Sequence, residues 1–336
     1  MNTNFLKIGF AVVLAAVAFT ACDKDDKDGD KDRMELYVTN NTDGNVTVYD
    51  LESDEMRTLT TTATAAEGIY YDSDNDRIIQ ASRSANQLDV FSDVKEAANN
   101  VALATLFSSS ADLSSPRDVA VNGNIVVVAD NADADGNTAT ADGKLFVYTK
   151  TDGAFTLRNT ITTEFAVWGI EFVGDNLYAI VDKTNQLAVF NNFAAGNMID
   201  ATVSATKTIM IEGIVRTHGL AYDAGTMILT DIGDANSDSD GAFHIIADFD
   251  SKFNGVSNAG MLTLADQVRV AGAATNLGNP VSAEYDADSK TIYIAEAKKD
   301  GGRVLSFTDA SAGGDLTPKM NKTLAGASSL YLYMEK

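Results

Sequence analysis

Glu67, Arg117, Trp168 and His218 stand 50, 51 and 50 positions apart by subtraction, and each could touch a ligand. A second series, Asp130, Asp182 and Asp231, follows at similar intervals, with Asn40 and Ser82 before it and Glu296 after it. Carboxylates gathered at one place repel, and a divalent cation relieves them. An indole offers a flat face for stacking, a guanidinium pairs with anionic groups, and an imidazole takes up a proton near neutral pH. If the fold brings these intervals together, the two series form one ligand site. The expected ligand contacts are Glu67, Arg117, Trp168 and His218, with Asp130, Asp182 and Asp231 as a metal set.

Two acidic stretches begin within the second series. Asp130 to Asp142 reads DNADADGNTATAD, and Asp231 to Asp240 reads DIGDANSDSD. Alternating carboxylates with Asn and Gly supply the hard oxygen ligands that Ca2+ takes, so Ca2+ is the expected cofactor. Neither stretch fits an EF-hand: a loop begun at Asn236 places Ala247 where the bidentate Glu should stand. Zinc is disfavoured, because His218 and His244 are the only histidines and Cys22 the only cysteine.

The intervals come from a repeat. Leu36 to Asp50 reads LYVTNNTDGNVTVYD, and later segments are degenerate copies: an apolar strand, an acidic or Gly turn, a second strand ending in a polar residue, a loop and a third strand. Ile69, Val119, Ile170, Leu220, Ala283 and Leu330 share one position, at steps of 50, 51, 50, 63 and 47 by subtraction. About 50 residues is the size of one four-stranded propeller blade. The chain from 34 to 336 thus predicts an all-β, six-bladed β-propeller, each blade running from an innermost strand A to an outermost strand D. The first blade begins at its strand B, with Glu35 to Thr39; Leu330 to Met334, near the C-terminus, has strand A character with no strand B after it. The C-terminal strand is therefore expected to complete the first blade and close the ring, removing exposed sheet edges.

In such a blade the residue before strand A and the residue after strand B meet at the channel mouth. The first set is Glu67, Arg117, Trp168, His218, Val281 and Ser328, and the second is Asn40, Ser82, Asp130, Asp182, Asp231 and Glu296.

The N-terminus is of another kind. Ile8 to Ala21 is an apolar run behind Lys7, too short to span a bilayer as a helix and suited to a signal peptide over 1–21. Phe19-Thr20-Ala21-Cys22 resembles a bacterial lipobox, which implies acylation of Cys22 and anchoring to a membrane. Residues 22–33 form an acidic tether, DKDDKDGDKDR after the Cys, with nothing to bury. Its acidity resembles the export signal of surface-exposed lipoproteins in Bacteroidetes and implies an outer-membrane, surface location. Inner-membrane retention, signalled by Asp after the Cys in other Gram-negative bacteria, is the competing reading. The net charge of −23 disfavours nucleic acid as a partner, because phosphate contact needs clustered Lys and Arg.

LYVTN with VTVYD after it resembles the YVTN family of propeller repeats, of NHL-like type, as do Pro116-Arg117-Asp118-Val119 and Asn279-Pro280-Val281. That resemblance implies fold far more than function. Thr217 to Asp231, THGLAYDAGTMILTD, is similar to gluconolactonase-type six-bladed propellers, in which a Glu, an Asn and an Asp before successive A strands hold a divalent metal. Glu67 matches the Glu, but His218 stands in place of the Asn and Val281 in place of the Asp. The expected function is a non-catalytic binding or interaction module, taking a ligand, glycan or protein at its channel mouth. The alternative is a metal-dependent, lactonase-like hydrolase using Glu67, His218 and Asp231.

Overall fold

The computed structural model describes residues 33–137 and 139–335. The signal peptide, Cys22 and nearly all of the tether lie outside them. No helix among the described residues is long and apolar enough to cross a membrane.

Six antiparallel sheets follow one another as six blades. Blade 2 runs Ala66–Asp72, Arg77–Ser82, Gln87–Ser92 and Thr105–Ser108. Blade 3 runs Pro116–Asn122, Ile125–Asp130, Gly143–Lys150 and Phe155–Thr163, and blade 4 Val167–Val173, Asn176–Val181, Gln186–Phe190 and Lys207–Ile211. Blade 5 is Leu220–Asp223, Thr226–Asp231, Ala242–Ile246 and Val268–Ala271; blade 6 is Pro280–Asp286, Thr291–Glu296, Arg303–Thr308 and Met320–Thr323. Blade 1 takes its strand A from the C-terminus: Ala327–Met334 precedes Met34–Asn40, Val46–Asp50 and Met56–Thr60 in sheet order. The closure expected from the missing strand is therefore observed, with pairs running from Met34 and Met334 to Asn40 and Ala327.

Blade packing explains why the B strands read as apolar runs. Each lies between two neighbouring sheets, so both faces need apolar side chains, unlike a half-solvated strand. Along Ile125–Asp130, Val126 and Val128 pack with Ile79, Ala81 and Leu88 of blade 2, whereas Val127 and Ala129 pack with Leu177 and Ala179 of blade 4. The core is thus a ring of six clusters, one per blade interface, and not one central mass. The long step of 63 between Leu220 and Ala283 arises in blade 5, where a helix, Phe249–Gly255, buries Phe249 and Phe253 with both ring centroids 5.4 Å from that of Tyr178.

The start of strand A is the detail that shapes the mouth. In five blades a register shift places an extra residue there: Ser328, Glu67 with Gly68, Arg117, Trp168 with Gly169, and Val281. In blade 5, His218 comes just before Leu220–Asp223. A bulge frees its side chain from the alternation of the ladder and re-aims it, so these six positions are available to the site. Gly169 shows how tight this is: its N–H donates to the His218 carbonyl at 3.1 Å, and an added Cβ would lie 2.4 Å from that oxygen.

Candidate functional site

The strand-B set divides into clamps and one site residue. Asp130 is buried and accepts from the N–H groups of Ser114, Ser115 and Ala132. Asp231, also buried, accepts from Val215, Arg216 and Gly233, and Glu296 from Gly278, Asn279, Lys298 and Lys299. Each of these carboxylates ties the loop before strand A to the loop after strand B within its own blade. Asn40 and Ser82 accept only from the loop after strand B, from Thr42 and Asp43 and from Ala85. The sequence grouped Asp130, Asp182 and Asp231 as one metal set; it could not separate a carboxylate spent on backbone donors from one joined to other side chains.

Asp182 is the exception. Its Oδ1 accepts from Arg216 Nη2 at 3.0 Å and lies 3.3 Å from His218 Nε2, and its Oδ2 accepts from Asn131 Nδ2 at 3.4 Å. Burial alone would raise this carboxyl, but His218 and Arg216 outweigh burial and hold it down at about 2. From Asn131 the network continues: Asn131 Oδ1 accepts from Arg117 Nε at 2.9 Å, and Arg117 Nη1 donates to Glu67 at 3.1 Å. Glu67 also receives Arg83, at 3.4 Å, and Asn41. Trp168 lies between two cationic or polar planes. His218 stacks on one side with centroids 3.7 Å apart and planes within 7°, and the Arg117 guanidinium sits 4.2 Å from the ring centroid. Burial pushes His218 down to about 4, so it is neutral at pH 7. The network spans blades 1 to 5 and joins all four expected contacts.

Three consequences revise the expected site. Stacking a ligand on Trp168 requires displacing Arg117 or His218. Asp130, Asp182 and Asp231 do not converge; among the described residues the one carboxylate trio with oxygens all within 4.8 Å of one another is Asp133, Asp135 and Asp142, in the first acidic loop. Glu67, His218 and Asp231 form no joint cluster: Glu67 pairs with Arg83 and Arg117, while Arg216 donates to His218 from Nε and to Asp231 from its backbone N. Asn41, Arg83, Asn131 and Arg216 were missed by sequence reasoning. A signal existed: Asn41, Arg83 and Asn131 each immediately follow the strand-B polar residue. Their N–H groups donate to the carbonyls of Gly326, Ala65 and Ser115 in the loop before strand A, which holds them at the mouth.

The channel behind the mouth is acidic. A cavity of about 190 Å3 is lined by the A strands, including Asp118, Glu171 and Glu284, with no Lys, Arg or His among its lining residues. The A strands are sheet edges whose N–H groups face the channel, and carboxylates of the preceding blade satisfy them. Asp118 accepts from Ile170 N at 2.9 Å, Glu171 from Tyr222 N and Glu284 from Leu332 N. Burial pushes Asp118 up to about 7 and Glu171 to about 8, and raises Glu284 well above the usual range.

No protein-family model matches the chain, and no curated protein matches it. Among solved structures, it is similar to a chain in the crystal structure of a nidogen/laminin complex, with a TM-score of 0.58 and 13% identity over 89% of this chain and 98% of that one. At that identity the likeness concerns fold, and the neighbour is a β-propeller.

Proposed function

We propose that this propeller is a lipid-anchored binding module on the outer face of a bacterial outer membrane, of Bacteroidetes type, whose channel mouth takes an anionic group. The fold suits a binding or interaction role. The observation that carries the ligand class is the charge balance: Arg83, Arg117 and Arg216 face only Glu67 and Asp182 within the network, while His218 is neutral. Within the network three guanidinium groups thus meet two carboxylates, while Asp130, which also acts on Arg83, and Asp231 spend oxygens on backbone N–H groups, in a chain whose net charge is −23. All three guanidinium groups keep some exposure, with side chains 31, 15 and 22% accessible. Planar guanidinium groups recognise carboxylate, sulfate or phosphate by paired hydrogen bonds, whether a glycan or a protein carries the anion. Anchoring rests on Cys22 in its lipobox-like context, and labelling with a palmitate analogue tests it.

Titration calorimetry with glucuronate and with inorganic sulfate tests the mouth. One of the two is expected to bind, and Arg83→Ala and Arg216→Ala should each weaken it roughly tenfold, the worth of a charged hydrogen bond. Absence of heat with both anions, or binding indifferent to both substitutions, would remove the reading.

A second reading concerns Ca2+. The Asp133, Asp135 and Asp142 oxygens converge on an exposed loop of hard donors, although all three commit Oδ1 to backbone N–H groups. Calcium is expected to raise the melting temperature at millimolar concentration by mass action, and Asp135→Asn should abolish the shift. A shift unchanged in that variant would place the ion elsewhere.

A further inference from the structure

The loop before strand A of blade 5 carries Arg216 and His218, and both are drawn to one carboxylate. Arg216 Nε donates to His218 Nε2 at 3.1 Å, and Arg216 Nη2 donates to Asp182 Oδ1 at 3.0 Å. The same Asp182 Oδ1 lies 3.3 Å from His218 Nε2. A guanidinium keeps its proton at Nε, so His218 Nε2 must present its lone pair and the single ring proton must sit on Nδ1. Nδ1 is buried and has no hydrogen-bond partner in the chain. The ring, 4% exposed and stacked on Trp168, is thus held in the tautomer that leaves its N–H unused.

A protonated ring needs the opposite arrangement. With hydrogen on both nitrogens, Nε2 is a donor, and its hydrogen and that of Arg216 Nε would point at each other. Arg216 must then withdraw, and Asp182 Oδ1 becomes the acceptor for the imidazolium. An anion bound by Arg216 asks for the same withdrawal, because it competes with His218 and Asp182 for the guanidinium. The other charges nearby do not oppose this. Arg117, over Trp168 and tied to Glu67, acts on the ring with the same sign as Arg216. Asp231 is committed to the backbone N–H groups of Val215 and Arg216, which fixes the loop and leaves the Arg216 side chain to move. Blade 6 places uncharged Val281 at the position equivalent to His218. Burial, Arg216 and Arg117 together keep the ring neutral against the pull of Asp182, and an anion at the mouth offsets the two guanidinium groups.

We infer that the mouth takes up a proton together with its anion: His218 is the proton acceptor, and Arg216, which can serve His218 or a ligand but not both, couples the two. The inference rests on the proposed anion site and adds its regulation. Coupling of two binding events is reciprocal, so the anion raises the proton affinity of His218 and acid raises the affinity for the anion. In the free protein the ring is held down at about 4. A rise in the bound state part of the way to the ordinary histidine value of about 6.5 tightens anion binding roughly tenfold between pH 8 and pH 5. Such a site captures its ligand in acid and releases it as the pH rises.

The probe is inorganic sulfate, or glucuronate if that alone binds at pH 7. His218 and His244 are the only histidines, so imidazole C–H signals in proton NMR report each ring, and His218→Gln assigns the signal it removes. Saturating anion should move the His218 titration upward and leave that of His244 in place. Calorimetry should give about tenfold tighter binding at pH 5 than at pH 8 in the parent. His218→Gln should show clearly less, retaining only the general effect of acid on a chain of net charge −23. Arg216→Gln should raise the His218 titration with no anion present. A pH dependence equal in the parent and His218→Gln overturns the inference and leaves the anion site standing. So does a His218 titration unmoved by either the bound anion or Arg216→Gln, in variants that melt like the parent. Absence of binding at both pH values removes the anion site and the inference with it.

Discussion

A chain truncated after Gly326 should fail to melt cooperatively near the midpoint of the full-length protein. The lost segment supplies strand A of blade 1, and its register covers every position of Met34–Asn40. Without it, Met34–Asn40 becomes an open edge, and the interfaces on both sides of blade 1 lose side chains: Leu330 and Leu332 from the blade 6 side, Tyr331 and Tyr333 from the blade 2 side. Burial of one large apolar side chain is worth roughly 1.5 to 3 kcal/mol, so a few of them approach the whole stability of a typical domain, about 5 to 15 kcal/mol. Polar contacts are lost as well: Ser328 Oγ bonds Thr39 and the Ala66 carbonyl, and Glu335 N donates to Arg33 O at 2.8 Å. Calorimetric scans of the truncated and full-length chains decide it. A cooperative transition within a few degrees of the parent would show that closure is dispensable.

At pH 8.5, Glu171→Gln should be more stable than the parent, and the gain should vanish towards pH 5. Glu171 has its folded pKa raised to about 8, above its unfolded value, so between about pH 4.5 and 8 the folded state binds more protons than the unfolded state. Stability then falls as pH rises through that window. Asp118, raised to about 7, and Glu284, also raised, act in the same direction. Glutamine is never charged and keeps an oxygen to accept the Tyr222 N–H. One pKa unit corresponds to about 1.4 kcal/mol; with channel water discounting the shift, the gain at alkaline pH is on the order of 2 kcal/mol. His218 and His244, both pushed down to about 4 by burial, have the opposite slope and destabilise the fold as pH falls below about 6.5. Three raised carboxyls outweigh two histidines, so the parent should be less stable at pH 8.5 than at pH 5.5, and the variant should lose less over that range. A melting-temperature difference between the two that is the same from pH 5 to 9 would refute the argument.

The ring and its closure were legible because the blade repeat is written in period: apolar B strands recur at about 50 residues, and a lone A-type strand ends the chain. The mouth was only half legible. Glu67, Arg117, Trp168 and His218 could be named because the bulge position is fixed relative to strand A. The role of Asp130 against that of Asp182 could not, since both are aspartates ending strand B and differ only in what surrounds them: three loop N–H groups in one case, Arg216 and His218 in the other. The outer strands were least legible. Met56–Thr60 and Met320–Thr323 are short and half-exposed, so they carry weak patterns, and the connections that add a fifth strand to three of the six sheets vary in length and sequence. The channel carboxylates also gave no signal, because Asp118 occupies a strand position that holds Gly or Ser in the other blades, and Glu171 one that holds Tyr, Ala or Glu.

The stack at the mouth also makes the molecule its own optical probe. Trp168 is the only tryptophan among 336 residues, so indole emission from the entire protein arises at one point. Its faces are occupied by an imidazole and a guanidinium, both of which alter the excited state of an indole when they move or change charge. Emission would therefore report displacement of Arg117 by the proposed anion directly, without a dye. Opening of the clasp at blade 1 reaches the fluorophore only at a distance, through Asn41, Glu67 and Arg117, until the blades that hold the stack separate. Intensity and heat capacity, recorded on one sample, consequently distinguish a local event at the mouth from loss of the ring.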